Sequence, residues 1–173
     1  MVVVDRVDCD HAVRTYHEIG DTSPLHATAT GRAVLANLPA ADVDELIDRG
    51  LDSYSESTLT DPSELRTELK RVRANGYSVN RNQYRPDVCA IAAPILDTDG
   101  TPLAAVAISM PDSRYDPAKE SELGRLVTDT AADVTARRLE EGAGGDDPAA
   151  EPPHQARSGE RASRLPAVSR NAI

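Results

Sequence analysis

The chain has no phenylalanine, no tryptophan and only five tyrosines in 173 residues. Aromatic platforms on which bases could stack are nearly absent, which argues against a single-strand nucleic-acid binder. Lysine occurs only at Lys70 and Lys119, and acidic residues outnumber basic ones to give a formal net charge of −10. A surface of that sign repels the phosphate backbone, so the chain is expected not to bind DNA by itself. Cys9 and Cys89 are too few and too far apart for a disulfide framework or a zinc knuckle, and they read as reduced small hydrophobes. No apolar run is long enough to span a bilayer, and the first residues lack a signal-peptide pattern, so no membrane association and a cytoplasmic setting are expected. No G-x-S-x-G elbow, H-E-x-x-H helix or phosphate-binding loop occurs, which excludes the commonest motif-bearing enzymes. The expectation is a non-enzyme without a cofactor.

What is present alternates between strand-like and helix-like segments. Val2–Val7 and Ala12–Tyr16 read as two strands joined by a polar turn at Asp8–His11. A helix follows from about Ala29 to Leu38, then a second from Ala41 to Arg49, ended by Gly50. Asp61 is placed as an N-cap, with Pro62 at the first helical position and Glu64 where a capping box needs it. Leu65, Leu69 and Val72 then form an i, i+4, i+7 stripe that Gly76 terminates. Tyr77–Asn80 reads as a short strand, and Arg81–Asp87 as an irregular charged stretch. Asp97–Gly100 is a turn between two strands that are apolar at nearly every position, as when both faces are covered. Asp116-Pro117 opens a last helix with Leu123, Leu126, Val127, Thr130, Ala131 and Val134 expected on its inner face. Residues 1–140 therefore read as one α+β domain, an antiparallel sheet flanked by helices. Residues 141–173, rich in Gly, Pro, Ala and Arg without apolar period, read as a disordered tail.

Two motifs stand out. In His26-Ala-Thr-Ala-Thr-Gly-Arg32 a turn bearing threonine and glycine runs straight into a helix, where free backbone N–H groups and threonine hydroxyls favour an anion. The second is the hairpin Ala92-Ala-Pro94, Asp97-Thr-Asp-Gly100, Ala107-Ile-Ser-Met-Pro111. Together they resemble the effector-binding domain of the IclR family of transcriptional regulators. The resemblance runs from Val2 to about Leu139 and implies a GAF-like fold with a small-molecule pocket between the two motifs. It also implies that the family's winged helix, its linker helix and the first strand and helix of its effector domain have no counterpart here, so that the domain is N-terminally truncated.

Carried over by position, the ligand-binding residues would be Ala12, Thr15, Ser23, Ala29, Thr30, Gly31, Asn80, Val88, Ala90 and Ser109. Thr30, Ser109 and the backbone of Ala29–Gly31 suit a small carboxylate. Ser109, on a buried strand, needs a ligand or a backbone carbonyl for its hydroxyl. Three positions depart from the family pattern: Asn80 replaces a common pocket acid, Ala90 a common cysteine, and Ala107 a serine. Cys89, one place out of register, is expected to face away. His26 belongs to the family motif. Its neighbours in sequence, His11, His17, Glu18 and Asp21, match no zinc spacing, so no metal is expected and His26 is expected to bond backbone. Arg71, Arg73, Arg81 and Arg85 read as a solvated face paired with acids. The implied function is ligand sensing and oligomerisation, as a homodimer or higher oligomer. DNA would be reached only through a winged-helix domain that this chain lacks. The alternative is a stand-alone metabolite-binding or regulator-sequestering module without DNA binding of its own.

Overall fold

A computed structural model describes residues 1–143. The elements are α1 (Ala29–Leu35), α2 (Ala40–Asp48), α3 (Pro62–Asn75), β1 (Ser78–Arg81), β2 (Val88–Leu96), β3 (Pro102–Pro111) and α4 (Glu120–Ala143). The expected α+β architecture is observed: one antiparallel three-stranded sheet in the order β1-β2-β3, with helices on both faces. The expected tail, 141–173, lies outside the described residues apart from its first three, which continue α4.

Local chemistry accounts for the elements. Asp61 caps α3 by accepting from the Ser63 and Glu64 amides at 2.8 and 2.9 Å. Gly76, at φ 80°, closes it in the left-handed conformation that costs an L side chain energy. Thr28 caps α1, its Oγ1 accepting from the Gly31 amide at 3.1 Å. One core forms where Leu65, Leu69 and Val72 of α3 meet Leu35, Ala36 and Val43. A second lies between the sheet and α4, where Val79, Ile91 and Ala93 pack on Val127 and Ala131.

Two expectations fail. The strands Val2–Val7 and Ala12–Tyr16 do not form. Instead residues 1–3 bond to residues 20–23, with a single bridge at Val2↔Thr22. Val4, Val7 and Val13 are 72–98% exposed, so the alternating pattern has no core to face, and an isolated ribbon is marginal without one. On α4, Leu126, Thr130 and Val134 point to solvent. The inner row is Leu123, Val127, Ala131 and Thr135, and the exposed row lies one residue, about 100°, away around the helix. Gly124 belongs to the inward side because a Cβ there would meet the Tyr77 ring at 2.4 Å.

Candidate functional site

The strand register places Asn80, Ala90 and Ser109 side by side across the sheet. Side chains alternate along a strand, so these three share the face opposite α4, under α1. Ala29 and Ala33 of α1 pack there against Ala92. Small residues leave room, and a cavity of about 470 Å³ opens between this face, the start of α1 and the N-terminal segment. Thr15, Ser23, Ala29, Thr30, Asn80, Val88, Ala90 and Ser109 all line it.

Ala12 and Gly31 do not. Ala12 is exposed on the outer loop. Gly31 is buried for packing: a Cβ would sit 2.2 Å from the Leu25 carbonyl oxygen, and its amide is taken by Thr28. Its missing side chain lets the chain cross itself and makes no space for a ligand. Thr28 is likewise spent, its hydroxyl donating to the Pro24 carbonyl at 2.8 Å.

The remaining polar groups differ in how free they are. Asn80 donates from Nδ2 to the Ala27 carbonyl and accepts from the Gln83 amide at 3.2 Å, so it braces the wall. Thr30 Oγ1 has only a long contact, 3.4 Å, to Thr28 Oγ1. The Ala29 and Thr30 amides, at the first two helical positions, have no intrahelical acceptor. Ser109 Oγ is buried with no hydrogen-bond partner among the described residues. A hydroxyl left so costs about 1–3 kcal/mol, an unusual arrangement unless something else satisfies it.

Sequence reasoning missed the cavity's outer wall. Residues Met1–Cys9, Arg14 and His17 close it from one side, and Tyr84 and Arg85 from another. Burial, reinforced by Arg85, pushes the His17 imidazole below its ordinary value of 6.5, against the opposing pull of Asp21. Arg85 was expected on a solvated face paired with acids. It lines the cavity instead, Nη1 donating to the Tyr16 carbonyl at 3.3 Å. Of its three companions only Arg71 pairs with an acid among the described residues; Arg73 donates to the Ala36 carbonyl, and Arg81 stacks on Tyr115. One signal for the cavity was available: most of the hairpin's larger side chains fall on one face and most of its small ones on the other. Cys89, Ile91 and Ile95 against Val106 and Ile108 build the α4 face; Ala90, Ala92, Ala105, Ala107 and Ser109 line the other.

Cys89 does face away, its thiol donating to Asp112 Oδ1 at 3.0 Å. Burial and the Asp112 carboxylate push that thiol up to about 12, so it stays protonated and unreactive at neutral pH. His26 Nε2 lies 2.9 Å from the Asp52 carbonyl oxygen, a backbone bond. No cluster of three or more metal-capable side chains occurs among the described residues. No helix among them is long and apolar enough to cross a membrane.

A mixed helix and antiparallel-sheet fold of this kind, with a cavity beside the His26–Arg32 turn, is that of a regulatory domain of a bacterial transcriptional regulator. The chain belongs to the IclR family: the family described as bacterial transcriptional regulator IclR C-terminal matches residues 1–136. It is 36% identical over 135 residues to the transcriptional repressor IclR of Escherichia coli (strain K12), a match covering 78% of this chain and 49% of that protein. The chain thus spans about half the length of the curated relatives it matches. The crystal structure of the Agobacterium tumefaciens repressor BlcR superposes with a TM-score of 0.67 at 30% identity, covering 70% of this chain and 50% of that one. The inducer-binding domain of the Acinetobacter transcription factor PobR, a double mutant in complex with 3-hydroxybenzoic acid, gives 0.66 at 29% identity, covering 73% and 74%. These relatives are regulators, and the family is one of non-enzymes.

Proposed function

We propose that this chain is the ligand-sensing and self-associating part of an IclR-type transcriptional regulator, acting in the cytoplasm. Its cavity takes a small carboxylate-bearing metabolite. The observation that carries this reading is the buried Ser109 Oγ on the cavity wall, which has no hydrogen-bond partner among the described residues. In the bound state that hydroxyl donates to the carboxylate, and the Ala29 and Thr30 amides offer further donors at the other side of the cavity. On the outer wall three arginines, Arg6, Arg14 and Arg85, outnumber two aspartates, Asp5 and Asp8, which favours an anion electrostatically. PobR supports the class of ligand, since its homologous domain was crystallised with an aromatic acid. Regulation follows if the ligand prefers one of two arrangements of a homodimer, because only differential affinity shifts such an equilibrium. DNA is contacted through a winged-helix domain in the half of the relatives' length that this chain does not span.

A thermal-shift screen of small aliphatic and aromatic carboxylic acids tests the reading. A true ligand at a hundredfold excess over its dissociation constant stabilises the protein by about 2.7 kcal/mol. Ser109→Ala keeps the fold, removes an unsatisfied hydroxyl and leaves stability equal or slightly higher, while weakening the ligand by about 1–3 kcal/mol. Wild-type affinity in Ser109→Ala, or no response to any acid, overturns the assignment.

A further inference from the structure

A second cavity, about 440 Å³, lies on the opposite side of β1. Asn80 faces the first cavity, whereas its strand neighbours Val79 and Arg81 face the second. Helix α3 contributes Glu64, Glu68 and Arg71, spaced i, i+4, i+7 along one face; the loop after β1 contributes Gln83, and the start of α4 contributes Glu120. None of these residues belongs to the sensor cavity described above.

The charges divide into satisfied and free groups. Arg71 grips Glu68 with two hydrogen bonds, at 2.7 and 2.8 Å. Behind them the fully buried Arg32 lies 3.9 Å from the same carboxylate. One oxygen of Glu120 accepts from the Tyr115 hydroxyl, and the other faces no partner among the described residues. The Glu64 carboxylate makes no ion pair among them either, because the capping contact at this residue uses its backbone amide. The Arg81 guanidinium lies 4.6 Å above the Tyr115 ring, with no carboxylate paired to it among the described residues. Gln83 Oε1 is buried with no hydrogen-bond partner among the described residues. Three carboxylates thus face two lining guanidiniums, with Arg32 behind. The site is neutral as a whole but polarised, with spare acceptors at Glu64, Glu120 and Gln83 and a spare cationic donor at Arg81.

A lone anion would meet Glu64 and Glu120, and a lone cation would meet Arg81. A dipolar molecule satisfies both sides. The geometry points to a second ligand site in this cavity for a free amino acid, its ammonium donating to Glu64, Glu120 and Gln83 Oε1 and its carboxylate accepting from Arg81. The volume is in the range of small-molecule sites. The loop that carries Gln83 here also carries Tyr84 and Arg85 on the wall of the first cavity.

Calorimetric titration of the full chain with individual L-amino acids tests this, with acetate and methylamine as probes carrying one charge each. At least one amino acid should bind at millimolar or lower concentration, with neither single-charge probe matching it. Glu64→Gln keeps a side chain suited to its helical position, and Arg81→Gln changes an exposed residue, so both variants retain the fold. Each should weaken the amino acid about tenfold or more, as should Gln83→Leu, whereas Ser109→Ala should leave it unchanged. Binding lost in Ser109→Ala but kept in Glu64→Gln would move the ligand to the first cavity and overturn the proposal. Absence of binding by every amino acid, or acetate or methylamine binding as well as the whole molecule, would overturn it too. The first cavity is judged separately, by its carboxylic acids and the Ser109→Ala variant.

Discussion

The two faces of the sheet are built from the same two long strands and do different work. Toward α4, β2 presents Cys89, Ile91 and Ala93, and β3 presents Val106 and Ile108; Ile91 and Ala93 are wholly buried against the helix. Toward α1 the same strands present alanines and Ser109, and the face is left with a 470 Å³ cavity. Close packing of large branched side chains makes one face a source of stability. Withholding side-chain volume makes the other a place to bind. A single strand carries both properties because its side chains alternate, so stability and recognition can be altered one at a time.

Substitutions that exchange the roles of the faces test this division. The largest expected effect is Ile91→Ala, which opens a void in the packed face and should cost about 2–5 kcal/mol in chemical denaturation. Binding to the folded protein should survive it. A cost under about 1 kcal/mol would show that the α4 face is not the main store of stability. Ala107→Val does the reverse, adding methyl groups to the open face at an exposed residue of the cavity wall. Stability should change by about 0.5 kcal/mol or less, while affinity for a cavity ligand falls. A variant with unchanged affinity would separate β3 from the site. The smallest effect concerns His17. Its folded-state pKa is lowered by burial and by Arg85, so the unfolded chain binds the proton more readily. Its contribution to stability is therefore complete at neutral pH and is lost as pH falls through 6.5 and below. The opening equilibrium of residues 1–23, read from amide exchange corrected for its intrinsic pH dependence, should rise on acidification across that window and stay flat in His17→Gln; equal acid sensitivity in the variant would assign the titration elsewhere.

Much of this was legible in the chain, for physical reasons. The Asp61-Pro62 start of α3, its Gly76 end and the Asp97–Gly100 turn are short-range features, set by caps and positive φ. The N-terminal strands were misread because alternation is only half of a strand signal; the other half is an apolar surface to face, and Val4 and Val7 find none. On α4 the hydrophobic stripe was read one row too wide, admitting Leu126 and Val134, which the sheet is too narrow to cover. Within the candidate site, Ala29 and Thr30 of α1 and Asn80, Val88, Ala90 and Ser109 of the sheet converge on one cavity, joined by Thr15 and Ser23 of the N-terminal segment. Ala12 misses it because its segment is an outer loop whose Arg14, Thr15 and His17 reach the cavity while Ala12 stays exposed, and Gly31 because contact with Leu25 is invisible in a linear chain. Arg85 was hidden for a similar reason: its hydrogen-bond partner Tyr16 is distant in sequence.

Arg32 has no solvent exposure, and its guanidinium reaches the Val79 carbonyl at 2.7 Å and the His26 carbonyl and Ser78 hydroxyl at 3.4 Å. Burial holds its pKa down to about 10, still far above neutrality, so the charge persists inside the domain. A rigid cation bonded to a helix, a turn and a strand behaves as a rivet. Any shift of α1 that accommodates a guest at Ala29 must drag β1 with it, and Glu68 of α3 by electrostatic attraction. The helix start is thereby geared to surfaces more than a turn away, and local displacement becomes movement of a larger body.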